Sequence, residues 1–300
     1  MSHPTVPLRH LLLALAVVAV WGSNFVVIKN ALAHLPPLLF AALRFTLAFL
    51  PAAFFLPRPA VPWYNLAAYG CLIGLVQFGA LYMAINGHIA PGLASLVVQT
   101  QVFFTIGLSM YLSGERVRPF QWAALLLAVI GIAVIGAHTD ADTTGLGLGL
   151  VLLAALGWSL GNMVGKQAGQ VNMLAYVVWA SAFSVPPLFA LSWWTEGWPA
   201  MQAGVLQADA LTWAAVAWQA WGNTLFGYAA WGWLLARYPA STITPMALLV
   251  PVFGMGAAAW LLAEPLPAWK LLAAALVMTG LTLNVWWPYA SAQRQKAKRQ

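Results

Sequence analysis

The amino-acid sequence predicts an all-α integral membrane protein with ten transmembrane helices in two inverted five-helix repeats. Three observations predict this fold class: the composition, the spacing of the apolar runs, and matching motifs in the two halves of the chain. Of the 300 residues, 62% are hydrophobic and only 6% are charged. About a quarter of the residues of a soluble domain are charged, so this chain lacks the polar exterior that water requires.

The apolar residues fall into ten runs, each close to the roughly 20 residues that a spanning helix needs. Proline, glycine and charged residues separate these runs and keep the connections short. The predicted spans are 9–29, 37–57, 63–87, 90–112, 119–138, 145–167, 172–194, 211–235, 240–262 and 267–288. The first run precedes Ala31-Leu32-Ala33, which resembles a signal-peptidase site, but its apolar stretch exceeds the usual 7–15 residues of a signal core. We expect it to remain as a helix.

The distribution of lysine and arginine predicts the orientation, because cytoplasmic loops are enriched in both. With the N-terminus inside, ten of the thirteen basic residues fall at cytoplasmic ends: Arg9, Arg58, Arg116, Arg118, Lys166, Arg237, Arg294, Lys296, Lys298 and Arg299. An even number of spans then leaves both termini and a basic tail, 289–300, in the cytoplasm. We expect the chain to lie in the inner membrane of a bacterium. The net charge of +7 forms no groove-sized cluster, so no nucleic-acid partner is predicted. Cys71 is the single cysteine, which excludes an intramolecular disulfide.

The two halves of the chain, 9–138 and 145–288, share motifs in the same order. The separation of 16 residues between Glu115 and Gly131 recurs between Glu264 and Gly280. Other matches are Gln101-Val102-Phe103 with Pro251-Val252-Phe253, Ala94-Ser95 with Ala240-Ser241, and Phe78-Gly79 with Phe226-Gly227. Five helices per half reverse the second copy in the membrane, which is the construction of many secondary transporters. An old duplication without a surviving mechanism is the alternative.

Several of these motifs resemble those of the EamA-type members of the drug/metabolite transporter superfamily. They are Trp21-Gly22-Ser23-Asn24-Phe25, Leu43-Arg44-Phe45, Gly114-Glu115-Arg116 and, in the second copy, Ala263-Glu264-Pro265. Within that family the chain looks most like bacterial amino-acid exporters, including exporters of aromatic amino acids. The resemblance implies a ten-helix basket around a central cavity and an export activity.

Acidic residues are missing from the middle of every predicted span. Proton-coupled carriers usually need an intramembrane ionisable group, and the related small multidrug exporters use a glutamate in the first helix. The matching stretch 19–28 has none. The sequence therefore favours uniport or facilitated diffusion of small zwitterionic metabolites, with proton antiport of another neutral metabolite or drug, or a membrane channel, as alternatives.

Amides within the predicted spans are the candidate substrate-binding groups, because an amide that faces lipid leaves its polar atoms unpaired. With nearby aromatic side chains, they give the predicted site: Trp21, Asn24, Gln77, Phe78, Tyr82, Gln99, Gln101, Trp158, Asn162, Gln219, Asn223 and Tyr228. Gln219 and Asn223 are four residues apart and would share one face of an α-helix. Such a cavity suits an apolar or aromatic amino acid. Hydrogen bonding between helices is the alternative role for each amide.

Repeat symmetry predicts two gating ion pairs, Lys29 with Glu264 at the outer mouth and Lys166 with Glu115 at the inner mouth. Snorkelling of the charges toward lipid headgroups is the alternative. Arg44, inside the second span, is expected to snorkel outward or to cap helix carbonyls. Glycines at every fourth position of the sixth span, Gly157, Gly161, Gly165 and Gly169, predict a face for close helix packing.

An enzyme is not predicted. The five histidines lie near span ends in different segments, and no metal-binding motif or carboxylate pair accompanies them. No cofactor or metal is expected. The partners expected are a small-molecule substrate and the lipid bilayer, with the chain as a monomer or homodimer. The exact substrate, its direction of movement and the energetic coupling do not follow from the sequence.

Overall fold

The computed structural model describes residues 6–113, 119–138, 142–238 and 240–297, and these contain helices and turns without a β-strand. Eight of the helices in this part of the chain are long and apolar enough to cross a membrane, and one further apolar helix is shorter. The predicted all-α membrane fold is confirmed at this level. The count of ten spans remains a prediction.

Prolines begin most helices of the first half. The helices are α1 (Leu8–Ala31), α2 (Pro37–Ala53), α3 (Trp63–Ile85), α4 (91–113) and α5 (Pro119–Ala137). Proline occupies the position before α1, α2 and α3 and the first position of α2 and α4. Its fixed φ suits a first turn, and the N–H that it lacks would have no partner there.

The second half begins with side-chain caps instead. Its helices are α6 (Gly145–Gln167), α7 (Met173–Thr195), α8 (Trp198–Gln207), α9 (210–237), α10 (240–261) and α11 (Ala268–Ala297). Thr144, Asn172 and Asp209 cap α6, α7 and α9 by accepting a backbone N–H three residues ahead. Hydrogen bonds from the Thr212 hydroxyl and backbone lower the pKa of Asp209, which lies outside the spanning segments.

Two features differ from the predicted boundaries. The short helix α8 lies where the sequence was expected to form only a connection between the seventh and eighth spans. The last helix continues to Ala297, beyond the predicted end of the span at residue 288. The predicted tail therefore begins as a continuation of α11.

The helices of the two halves pack against each other in matching pairs. Helix α1 packs on α9 and α10, α6 packs on α3 and α4, α2 packs on α7, and α5 packs on α11. Glycine permits the closest approaches. A methyl group on Gly22 of α1 would lie 2.5 Å from the Cβ of Phe253 and 2.6 Å from the carbonyl oxygen of Val250, both in α10.

The predicted glycine face on α6 is confirmed for three of its four members. Gly157, Gly161 and Gly165 contact Val76, Ile73 and Tyr69 of α3, in that order. Gly169 does not belong to this face. It lies beyond the end of α6 with φ +73°, a left-handed conformation that favours glycine after a helix.

Helices α3 and α9 each contain a nine-residue π-helical segment, Cys71–Gly79 and Trp218–Phe226. Short 3₁₀ segments, Val98–Thr100 and Thr244–Leu249, interrupt α4 and α10. A π-helical turn widens the helix and is frequent at functional sites. Each π-helical segment carries a predicted site glutamine: Gln77 in the first and Gln219 in the second.

Candidate functional site

A buried polar cluster joins α1, α2, α3 and α9 in the interior of the bundle. We define this central cluster as Asn24, Arg44, Tyr82, Gln219 and Thr224, all of them 6% exposed or less. The amides of Asn24 and Gln219 pair reciprocally, with N···O distances of 3.3 and 2.7 Å. The Tyr82 hydroxyl donates to Gln219 Oε1 over 3.1 Å. Three of the predicted site residues are thus brought into direct contact.

Arg44 completes the central cluster with its guanidinium. Its Nη1 donates to the Tyr82 hydroxyl over 2.9 Å and its Nη2 to the Thr224 hydroxyl over 2.7 Å. The guanidinium carbon lies 3.9 Å from the centroid of the Phe78 ring and 4.7 Å from that of Phe45. The prediction that Arg44 snorkels outward or caps carbonyls is wrong, because hydroxyl acceptors and aromatic faces lie within its reach inside the bundle.

The π-helical segment of α9 sets the position of Thr224. Its hydroxyl donates to the carbonyl oxygen of Gln219, five residues earlier, over 2.9 Å. The expectation that Gln219 and Asn223 share a face assumed α-helical spacing. In a π-helical turn, the hydrogen bonds join residues five apart, so Thr224 instead of Asn223 lies next to Gln219. Asn223 is buried, and its backbone carbonyl accepts a hydrogen bond from Trp21 Nε1 over 3.1 Å.

Aromatic rings surround the central cluster. The ring of Trp21 lies 6.0 Å from that of Tyr228 and 5.2 Å from that of Trp231, centroid to centroid. Tyr82 stacks on Phe40 at 4.8 Å. Two predicted aromatic site residues, Trp21 and Tyr228, are therefore in contact with each other beside the polar groups of α9.

A second polar cluster lies on α4 and α6 and is partly exposed. Thr105 and Ser159 share a hydrogen bond of 2.8 Å, and Asn162 Nδ2 donates to Gln101 Oε1 over 3.4 Å. Asn162 is exposed although it lies within α6. We call Gln101, Thr105, Ser159 and Asn162 the second cluster. Lipid offers no hydrogen-bond partner to an exposed amide, so Asn162 is not expected to face lipid.

Three other predicted site residues, Gln77, Gln99 and Trp158, have no recorded side-chain hydrogen bond to either cluster. Gln99 is buried and donates to the carbonyl oxygen of Ala247 over 3.3 Å. Gln77 is also buried, and its Oε1 has no hydrogen-bond partner in the described part of the chain. Trp158 packs against the hydrophobic core. The structure does not join these three to the central cluster through side-chain hydrogen bonds that it records.

Arg44 and Thr224 are the members of the central cluster that the sequence did not predict. The signal for Arg44 was present, since it is a lone cation within a predicted span. Thr224 gave no signal, because α-helical spacing does not associate it with Gln219.

A groove of about 470 Å³ runs along α11. Its lining consists of Ala275, Met278, Thr279, Thr282, Leu283, Trp286 and Trp287. None of the predicted site residues lines it. The central cavity that the motifs implied therefore stays a prediction.

The model of the EamA-like transporter family matches this chain twice, at residues 8–137 and 145–286. The chain belongs to the EamA-like transporter family. It is therefore a transporter and a multi-pass membrane protein.

Relatives of this EamA-like transporter match it over almost their whole length. It is 41% identical over 283 residues to a "Probable amino-acid metabolite efflux pump" of Escherichia coli K12, covering 91% of this chain and 93% of the relative. The Salmonella typhimurium protein of the same description matches with the same identity and coverage. A solved crystal structure with 20% identity aligns with a TM-score of 0.59 over 92% of this chain and 95% of its own, which shows a common fold.

The predicted outer ion pair of Lys29 with Glu264 is not formed, because Glu264 has other partners. Glu264 Oε1 pairs with Lys270 Nζ at 3.1 Å, and its Oε2 accepts the backbone N–H of Gly92 at 2.9 Å. Lys29, the predicted partner, is exposed. Lys166 is exposed as well, and Glu115 lies outside the described residues.

A second carboxylate acts at the same end of the bundle, where α1 ends and α2 begins. Glu196 accepts the backbone N–H groups of Leu38 and Leu39 at 2.7 and 3.2 Å. His34 Nδ1 and the Thr212 hydroxyl lie 2.9 Å apart at this end. Hydrogen bonds thus tie the connections of both halves together at this end of the bundle.

Proposed function

We propose that this transporter exports small zwitterionic amino-acid metabolites, aromatic or otherwise apolar, by alternating access and without proton coupling. The description of its relatives as amino-acid metabolite efflux pumps supports the substrate class and the direction. The proposal takes the N-terminus as cytoplasmic, so that the bundle end held by Glu196 and Glu264 faces outward.

The central cluster is the observation that carries this proposal. It combines a cation, two amides and two hydroxyls, and its members come from three helices of the first half and one helix of the second. A zwitterion needs donors for its carboxylate and acceptors for its ammonium group, and this cluster offers both. The rings of Trp21, Phe78 and Tyr228 next to it suit an apolar or aromatic side chain.

Alternating access is supported by the correspondence between the two halves. The family model matches each half separately, and the π-helical segments fall in the third long helix of the first half and the corresponding helix of the second. The packing of α1 on α10 is mirrored by that of α6 on α4. Two inverted copies can exchange conformations about a site between them, as in many secondary transporters.

Uniport is supported by the positions of the carboxylates. Glu196 and Glu264 are occupied by backbone N–H groups or a lysine at one end of the bundle. The sequence places no acid in the middle of a predicted span. A proton carrier of the usual kind would need such a group.

Counterflow in proteoliposomes tests the proposal. Vesicles loaded with unlabelled phenylalanine should transiently accumulate labelled phenylalanine from outside, because a carrier exchanges its substrates. An imposed pH gradient should leave the initial rate unchanged. Asn24→Ala should reduce the rate about tenfold, since it removes one hydrogen-bonding group of the site. Asn30→Ala is the matched control, because Asn30 is an exposed amide on the same helix.

Each alternative has its own result. Uptake without transient accumulation would indicate a channel. Strong acceleration by the pH gradient would overturn uniport in favour of proton antiport. Vesicles that move none of the amino acids tested would overturn the substrate class.

A further inference from the structure

Arg44 is a cation in the interior of the bundle whose recorded partners are all neutral. It is 1% exposed, and its two hydrogen bonds go to the hydroxyls of Tyr82 and Thr224. The carboxylates whose contacts the structure gives, those of Glu196, Asp209 and Glu264, are bound to other groups. Buried charges are normally paired with an opposite charge, so this arginine stands out.

The guanidinium also has a free donor. Arg44 Nε is buried and has no hydrogen-bond partner among the described residues. The Nε and Nη2 groups of arginine form a planar fork that matches the two oxygens of a carboxylate. The Phe78 ring 3.9 Å away supports one face of the guanidinium and leaves its edge available for in-plane hydrogen bonds.

A ligand can displace the two hydroxyls that accept hydrogen bonds from Arg44 without breaking the hydrogen bonds that these hydroxyls donate. Tyr82 still donates to Gln219 Oε1 at 3.1 Å, and Thr224 still donates to the carbonyl oxygen of Gln219 at 2.9 Å. A ligand oxygen that replaces either hydroxyl at the guanidinium therefore leaves no hydroxyl proton unpaired. The site exchanges one acceptor of Arg44 for another.

An acceptor without a partner lies on the neighbouring stretch of α3. Gln77 Oε1 is buried and unpaired in the described part of the chain, and Gln77 directly precedes Phe78, whose ring covers Arg44. A free donor on a cation and a free amide oxygen are the two kinds of group that a zwitterion needs.

We propose that Arg44 binds the carboxylate of the transported substrate through Nε and Nη2. This inference rests on the proposed function and narrows it, since it makes the carboxylate group a requirement for binding. The rings of Trp21, Phe78 and Tyr228 then contact the aromatic or apolar side chain of the substrate. Arg44 gives amino acids a higher affinity than amines of the same shape.

Four ligands with the same ring test this requirement on the purified wild-type protein. They are phenylalanine, phenylalanine amide, phenethylamine and 3-phenylpropionate, and binding is measured by ligand-induced thermal stabilisation over a concentration series. Phenylalanine should bind about 10- to 100-fold more tightly than its amide or phenethylamine, which is the effect of losing a charge-assisted hydrogen-bonded contact. Phenylpropionate should retain binding, because it keeps the carboxylate.

Two variants assign the effect to Arg44. In Arg44→Gln, phenylalanine should lose about 10- to 100-fold in affinity, and the affinity for its amide should fall much less, because the neutral amide makes no charge-assisted contact with Arg44. Arg44→Lys keeps the charge without the fork and should fall between wild type and Arg44→Gln. Arg58→Gln is the control, because Arg58 likewise stacks on an aromatic ring, that of Trp63 at 3.5 Å, but lies outside the central cluster.

The outcomes separate this inference from the proposed function. If the wild-type protein binds the amide or the amine as tightly as phenylalanine, the carboxylate assignment is overturned while export of amino-acid derivatives stands. That test needs no variant to fold. If folded Arg44→Gln keeps the wild-type preference for phenylalanine, the assignment to Arg44 is overturned. If none of the four ligands binds, the proposed function is overturned together with the inference.

Discussion

Replacement of Glu264 by glutamine should destabilise the transporter strongly. The carboxylate and the Lys270 ammonium are 3.1 Å apart, and their side chains are only 7% and 5% exposed. Removing one charge of a buried pair costs about 3–5 kcal/mol, mainly because the other charge stays buried without compensation. Glutamine keeps an oxygen that can accept the N–H of Gly92. We therefore expect a loss of stability at the lower end of this range, about 3 kcal/mol.

The expected change in melting temperature follows from that free energy. At roughly 2–4 °C per kcal/mol, a loss of about 3 kcal/mol lowers the apparent Tm by roughly 6–12 °C. The 17 tryptophans allow unfolding to be followed by intrinsic fluorescence in detergent at one fixed heating rate. Kinetic effects on the apparent Tm are then common to all variants.

Two further variants make the test specific. Lys29→Gln removes the exposed lysine that the sequence predicted as the partner of Glu264, and it should shift the Tm by less than about 2 °C, because exposed substitutions usually change stability by no more than about 0.5 kcal/mol. The double variant Glu264→Gln/Lys270→Met removes both charges and should recover most of the loss. Equal effects of Lys29→Gln and Glu264→Gln, or a Glu264→Gln shift below about 2 °C, would refute this pairing.

Two other contacts, one between helices and one a hydrogen bond, are tested by substitution. Gly22→Ala should cost about 1–3 kcal/mol through overpacking against Phe253, whereas Gly107→Ala should not destabilise, since nothing lies within 4 Å of its added methyl group. Tyr176→Phe should cost about 1–3 kcal/mol, because it removes a 2.6 Å hydrogen bond to Asn65 Oδ1, a buried acceptor. Thermal unfolding measures both, and equal stabilities of the two glycine variants or an unchanged Tm for Tyr176→Phe would contradict the contacts.

The apolar runs, and the proline, glycine and charged residues between them, predicted most of the helices. Long apolar runs have one low-energy solution in a bilayer, a helix that satisfies its own backbone, so the helices could be placed from the sequence. The glycine spacing on α6 predicted a packing face for the same local reason, because residues four apart share a side of an α-helix. These inferences need only the geometry of a single element.

The amides were identified as polar groups that avoid lipid, but their partners could not be derived. Asn24 and Gln219 are 195 residues apart, and only the packing of α1 on α9 brings them together. The π-helical segment around Gln219 was also hidden, since no residue type specifies it. Because of this local change in pitch, the residue that contacts Gln219 is Thr224 and not Asn223.

The wrong prediction for Glu264 has a different cause, because its partner is close in sequence. Lys270 is only six residues away, but the chain between them must turn back for the two to meet. Ala263 has φ +52°, a left-handed conformation that is uncommon for alanine, and Pro265 and Pro267 restrict the turn that follows. The backbone at Ala263 is held by the N–H of Glu264, which donates to the carbonyl oxygen of Ala258 at 3.2 Å. If the Lys270 pair and the Gly92 N–H stabilise this strained turn, relieving the strain with Ala263→Gly should raise the stability of the wild type and should partly compensate for Glu264→Gln.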